Sequence, residues 1–356
     1  MLKLNVEFLK SGMMLAKSIV SSDGQVLLQE GVRLKENYIA KLIELGISEI
    51  YIDIDEVTNV AIQDVIQEQT RITAQNIMRQ TMNAVYMGEH LHAQRILQLV
   101  SNILDDLLSN KDIMVNLSDI KAVDDYTFSH SVNVCVLSLI TGIAMNYNKT
   151  QLKDLGVGAI LHDIGKVAIP QEILNKPGSL TNEEYYIIQK HTELGYEILK
   201  DYAEIHSTSA IVALTHHERY DGKGYPFGKK AKEIHEFSRI VNIADVYDAL
   251  TSDRVYKKKI LPHQAVEYLT AMGNHQFDYD MVKKFILHVA CYPVGTVVFL
   301  STGVKAVVVE VHRNYPNRPK VRCLWDRDGN AYKQNLEIDL AQVPSVTIVE
   351  VLENIK

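Results

Sequence analysis

Cysteine is scarce. The 356 residues hold only Cys135, Cys291 and Cys323, far apart and without a CxxC pair. This excludes a disulfide framework and a cysteine-type zinc site, and it fits a reducing cytoplasm. Long apolar runs are missing as well. None approaches the roughly 20 residues needed to cross a bilayer. The opening Met1-Leu2-Lys3-Leu4-Asn5-Val6-Glu7 has an early acid and no apolar core, so it does not read as a signal peptide. Basic charge is not in excess: the formal net charge is −7. A general nucleic-acid binder carries a basic face or stripe, and this balance disfavours one. A small anionic substrate remains compatible, because bound cations can supply local positive charge.

What is present is an ordinary cored composition, 47% hydrophobic and 23% charged, in a chain long enough for two or three domains. Residues 1–58 read as a small α+β module. Leu15–Val20 and Gln25–Leu28 flank the turn signal Ser21-Ser22-Asp23-Gly24, which predicts a hairpin. Glu36–Leu45 then has helical spacing stopped by Gly46, and Ile50-Tyr51-Ile52 reads as a strand. Residues 59–120 form a helical connector: from Val60 to Leu108 there is no proline and one glycine, Gly88. Its apolar residues, among them Ile96, Val100, Ile103, Leu104 and Leu107, suit packing against the next domain. The sharper reading is a homodimerising or signal-relaying helix, but the heptad is not clean. Residues 121–290 are helix-rich. Thr181-Asn182-Glu183-Glu184 is a capping box that opens a helix running through Ile187, His191, Leu194 and Ile198. Residues 291–356 turn to short β-type runs, a small β-rich module.

Four separate segments supply His and Asp: His130, His162-Asp163, His216-His217 and Asp245, with His191 as a fifth candidate. Imidazole suits iron, manganese or zinc, and carboxylate adds hard oxygen ligands. A carboxylate can bridge two ions at the roughly 3.5–4 Å separation of two-metal hydrolases. His162 on one ion with Asp163 bridging would meet that need, and His216-His217 can bring an imidazole to the second. Taken singly, an HD dipeptide means little, His191 is more often a core or surface residue, and Asp245 a hydrogen-bonded buried acid. Taken together, five independent coincidences would be required.

The ordered His130, His162-Asp163 and Asp245 resemble the H…HD…D signature of the HD phosphohydrolase superfamily. His216-His217-Glu218-Arg219-Tyr220-Asp221-Gly222-Lys223-Gly224-Tyr225-Pro226 matches the HHExxDGxGYP pattern of the HD-GYP family at every specified position. The resemblance covers about residues 121–290. It implies a mainly α protein, an all-helical HD-type domain flanked by the two small modules. It further implies a cytoplasmic phosphodiesterase that cleaves cyclic di-GMP to pGpG or GMP through a metal-activated bridging hydroxide. The implied metal ligands are His130, His162, Asp163, His191, His216, His217 and Asp245, holding two divalent transition-metal ions, with iron or manganese favoured. Lys166 resembles the family lysine at the scissile phosphate, and Arg254 and Lys257 its substrate-phosphate clamp. Lys257 stands in a Lys257-Lys258-Lys259 run, where a solvated surface cation is the strong alternative. Some relatives place a third-metal Glu four residues before the first His. Tyr126 stands there, and a phenol is a poor ligand for that ion, which favours two metals; Asp124 and Asp125 nearby could substitute only with a different local backbone. Glu218, Asp221, Gly222, Gly224, Tyr225 and Pro226 form a shaped loop, first a support for the site and second a docking point for a diguanylate cyclase. The competing readings are a phosphohydrolase of another cyclic dinucleotide or nucleotide, and a non-catalytic receptor or interaction module.

Overall fold

The structure, a computed structural model, describes residues 1–21, 25–53, 64–109, 126–252, 259–332 and 335–352. The chain divides into two units. One contains the described parts of Met1–Val65 and Leu287–Lys356, and the other contains those of Ile66–Lys111 and Tyr126–Ile286.

In the first unit, β1 (Leu2–Asn5), β2 (Met14–Leu15), β3 (Ile19–Val20), β4 (Val26–Leu28), α1 (Glu36–Glu44) and β5 (Glu49–Asp53) form the N-terminal part. The expected hairpin is present as β3 paired with β4. The expected strand Leu15–Val20 is broken, however: β2 pairs with β5 while β3 turns to β4. Gly46, at φ 68°, ends α1 as the sequence predicts. Strands β6 (Val297–Leu300), β7 (Lys305–His312), β8 (Tyr315–Trp325), β9 (Glu337–Asp339) and β10 (Ile348–Leu352) make an antiparallel sheet in the order β10-β6-β7-β8-β9. Leu2 is buried against Val294, Val297, Val307 and Leu324, so the two ends of the chain share one apolar cluster.

The second unit is helical. The proline-free stretch gives α2 (Glu68–Tyr86) and α3 (Ala93–Ser109), separated at Gly88, whose φ is 76°. Ile96, Leu99, Val100, Ile103, Leu104 and Leu107 form the buried stripe of α3, each contributing about 1.5–3 kcal/mol of burial. That stripe lies on α5 (Lys149–Ile160) and α4 (Tyr126–Ala144). Helix α4 is buried on nearly all sides, with apolar residues such as Val132, Val134, Val136, Leu137 and Leu139 interleaved with the buried polar Ser129, His130, Asn133 and Ser138. After α6 (Gln171–Leu174), the Thr181–Glu184 capping box opens α7 (Asn182–Gln189) as predicted. The helix does not run on through His191. It breaks at Lys190, and α8 (His191–Leu199) starts afresh. Helices α9 (Ser207–Thr215), α10 (Glu236–Thr251), α11 (Pro262–Ala271) and α12 (Tyr279–Ile286) complete the unit. The result is a mainly α protein with an N-terminal α+β part and a C-terminal sheet. Among the described residues, no helix is long and apolar enough to cross a membrane.

Candidate metal centre

Helix ends deliver most of the histidines. His162 follows α5, His191 follows α7 and His216 caps α9. Each Nδ1–H can donate to a backbone carbonyl three residues back: His162 to Ala159 at 2.8 Å, His191 to Ile188 at 2.6 Å, and His216 to Ala213 at 3.0 Å. That bond fixes the tautomer and turns an Nε2 lone pair inward. His130, in the middle of α4, uses a side chain instead, and its Nδ1 lies 2.7 Å from Asp248 Oδ2. The turn after Asp163, a short 3₁₀ segment over Ile164–Ala168, approaches α8 closely at Gly165. A Cβ there would stand 2.0 Å from the His191 carbonyl oxygen and 2.5 Å from the Gly195 nitrogen. Only glycine lets this turn press against the helix that presents His191.

Seven predicted side chains converge in two adjoining groups, Asp163 with His191, His216 and His217, and His130 with His162 and Asp245. Asp163 connects them. Its Oδ2 lies 3.2 Å from His162 Nε2 and 3.8 Å from His130 Nε2. Its Oδ1 lies 3.4 Å from His191 Nε2 and 3.8 Å from His216 Nε2. His130 Nε2 is also 3.1 Å from Asp245 Oδ1.

The donor set fits divalent cations. His162 Nε2 and Asp163 Oδ1 are buried without a hydrogen-bond partner, a costly state for polar atoms that aim into one site. The Nε2 atoms of His191 and His216 face each other at 3.4 Å. With both Nδ1 hydrogens committed to carbonyls, two lone pairs meet, and a cation between them removes the repulsion. Burial holds His191 and His216 below the usual imidazole range and pushes His217 down to about 3, so all three favour the neutral, ligating form. Burial opposes ionisation of Asp163, but His162 and Lys166 outweigh it, and burial likewise yields to His130 at Asp245; both stay carboxylates. At His130 burial works against the charged form, yet the hydrogen bonds its ring donates to Asp245 and Asp248 raise its pKa to about 9.

Lys166 lies in the 3₁₀ turn rather than on an α-helix, and its Nζ reaches Asp163 Oδ2 at 2.5 Å. Glu218 is buried, and its two oxygens accept from the backbone N–H groups of Phe227 at 2.8 Å and Lys229 at 2.9 Å. Asp221 accepts both Arg219 Nε (3.1 Å) and Nη2 (2.9 Å), and Gly222 has φ 81°. At Gly224 a Cβ would meet Arg219 N and His217 O at 2.4 Å. The Tyr225–Pro226 peptide is cis, and the Tyr225 ring stacks on His217 with centroids 4.8 Å apart. Arg254 and Lys257 lie outside the described residues, as do Asp124, Asp125 and the side chain of Tyr126.

Sequence reasoning missed a buried polar chain behind His130. Asp248 accepts from Asn133 Nδ2 at 2.7 Å, and Asn133 Oδ1 in turn accepts from Arg71 of α2 at 3.1 Å. The available signal was paired polar spacing on apolar helices, His130 with Asn133 and Asp245 with Asp248, each three apart.

A family model described as HD domain matches residues 102–281, and one described as KOW domain associated with HD domain matches residues 297–356. The chain belongs to the HD domain family, and its motif is that of the HD-GYP branch. A cyclic di-GMP phosphodiesterase of Pseudomonas aeruginosa is 36% identical over 256 residues, 72% of this chain and 62% of its own length. A 3'3'-cGAMP-specific phosphodiesterase of Vibrio cholerae is 35% identical over 194 residues, 52% of this chain and 36% of its own length. The chain thus spans less than two thirds of these curated relatives. Among solved structures, an HDG"Y"P protein from Bdellovibrio bacteriovorus superposes over 80% of this chain and 97% of its own, with TM-score 0.51 and 15% identity, a likeness of fold.

Proposed function

We propose that the chain is a metal-dependent phosphodiesterase that hydrolyses cyclic di-GMP to linear pGpG, or to GMP after a second cut. The observation that carries this reading is the Asp163 carboxylate. One oxygen faces His130 and His162, and the other faces His191 and His216. That is how a bridging carboxylate is placed between two ions. His130, His162 and Asp245 would hold one ion, His191, His216 and His217 the other, with Asp163 shared. Iron or manganese is favoured by this mixed nitrogen and oxygen set. When bound, such ions lower the pKa of a water and polarise a phosphoryl oxygen.

The chain's own groups supply the rest. Lys166 puts a positive charge beside Asp163, where it can stabilise negative charge developing on the phosphoryl group. Arg254 and Lys257 are proposed to grip a phosphate remote from the reacting bond. Glu218 ties the Glu218–Lys229 loop through two backbone bonds, and Tyr225 braces His217. This loop is a support first and a docking point for a diguanylate cyclase second. Among the described residues of the connector, homodimerisation would fall to α2, since the apolar stripe of α3 is buried within the chain. Residues 121–290 are assigned the catalysis and residues 1–58 a regulatory role. A cytoplasmic setting is proposed from the scarcity of cysteine, with Cys135, Cys291 and Cys323 buried and not in disulfides.

A second reading, another cyclic dinucleotide as substrate, is favoured by the 3'3'-cGAMP-specific relative. Metal-loaded protein offered cyclic di-GMP, 3'3'-cGAMP and cyclic di-AMP separates the two. Preferred turnover of cyclic di-GMP supports the proposal. Preference for either other dinucleotide replaces it.

A further inference from the structure

A cavity of about 340 Å³ opens beside the metal centre, at the small end of the range for ligand sites. One wall is the C-terminal turn of α2, with Asn83 and Tyr86. The opposite wall is the segment that follows the centre, with Lys166 and Gln171, and Phe128 of α4 also lines the space. Lys166 belongs to both places: its side chain lines the cavity while its ammonium pairs with Asp163.

The chemistry of the lining is selective. Lys166 is its one charged group among the described residues, and it stands at the end nearest the metal ligands. The other polar groups are the Tyr86 hydroxyl and three primary amides, which offer donors and acceptors together. Asn175 donates to Gln171 Oε1 at 3.0 Å, so two of these amides are already oriented against each other. Tyr86 lines the cavity yet remains 61% exposed, so it is not held there as core. Two aromatic rings, neutral amides and the Lys166 cation suit an uncharged heterocycle attached to a phosphate, and the Arg79 guanidinium already lies over the Phe128 ring, 5.4 Å from its centroid.

We propose that this cleft is the subsite for one purine base of the nucleotide substrate, with Tyr86 and Phe128 as stacking surfaces and Asn83 and Gln171 reading the base edge. The proposal rests on the phosphodiesterase reading for the position of the phosphate at Lys166. A base and its phosphate are separated by one ribose, so the cation and the rings occupy opposite ends of one nucleotide. Helix α2 precedes the segment matched as HD domain, residues 102–281. As a wall of this cleft, α2 would set base preference.

The test is calorimetric titration of the metal-loaded full chain with GMP and with ribose 5-phosphate, which lacks the base. Wild type should bind GMP more tightly. Tyr86→Ala should weaken GMP about tenfold, the order of one lost base–aromatic stack, and leave ribose 5-phosphate unchanged. Equal affinities for the two ligands in wild type, or undiminished GMP affinity in Tyr86→Ala, overturns the subsite. Should Tyr86→Ala not fold, the exposed Asn83→Ala carries the same comparison. Cyclic di-GMP turnover is followed in parallel. Base-selective GMP binding without turnover removes the proposed function and keeps the subsite. Turnover with unchanged KM in Tyr86→Ala keeps the function and removes the subsite.

Discussion

At Lys166 and Arg254 the same charge is asked to do two different things. Lys166 touches Asp163, so its charge acts where the transition state becomes more negative, and Lys166→Ala should lower kcat by about 10²–10³-fold. Metal content should stay near wild type, because the amine is not a ligand. Arg254→Ala should instead raise KM with a smaller change in kcat, because a remote phosphate is held alike in ground and transition states. Steady-state kinetics beside a metal assay checks both, and metal loss in Lys166→Ala would make that lysine structural. Asp248 acts one step further back. It fixes the Nδ1 side of His130, and its other oxygen is held by Asn133. Asp248→Asn should weaken metal affinity about 10–100-fold, the usual loss for such a partner. Competition with a chelator measures this, and an unchanged affinity would leave Asp248 a packing residue only. The seven convergent His and Asp residues were legible because sequence order and residue type carry them. Asp248 was not, because an acid three residues beyond Asp245 is an ordinary helix residue until α4 packs against α10.

Elements were legible where local chemistry decides them and illegible where tertiary contact does. The Thr181 capping box and the stop at Gly46 stand as predicted. The break at Lys190 was not visible, since the apolar spacing runs straight through it. It arises where Gly165 meets the start of α8, and the break frees Ile188 O for the His191 ring. Gly165→Ala tests that contact. The added methyl would overlap the His191 carbonyl, and overpacking of this kind costs about 1–3 kcal/mol. A lowered Tm together with loss of metal is expected. An unaltered Tm would show that the turn and α8 part without cost.

For the whole molecule, the helical unit carries all seven candidate ligands, and the two chain ends meet in a separate β-rich unit. The contact of Leu2 with Val294 and Leu324 was not legible, because periodicity reports local structure and says nothing about distant partners. The helix-rich middle and the terminal β segment were legible from period and composition, and the mainly α HD-type class from the resemblance of the His and Asp motifs. Tyr126, four residues before His130, motivates two ions rather than three. The most direct measurement is a titration of metal-free protein with manganese or iron, reading bound metal and cyclic di-GMP hydrolysis on the same sample. The account predicts no turnover without metal, a rise that completes at two ions per chain, and neither binding nor turnover in Asp163→Ala. Turnover by metal-free protein, or a folded protein holding two ions that leaves cyclic di-GMP intact, would contradict it.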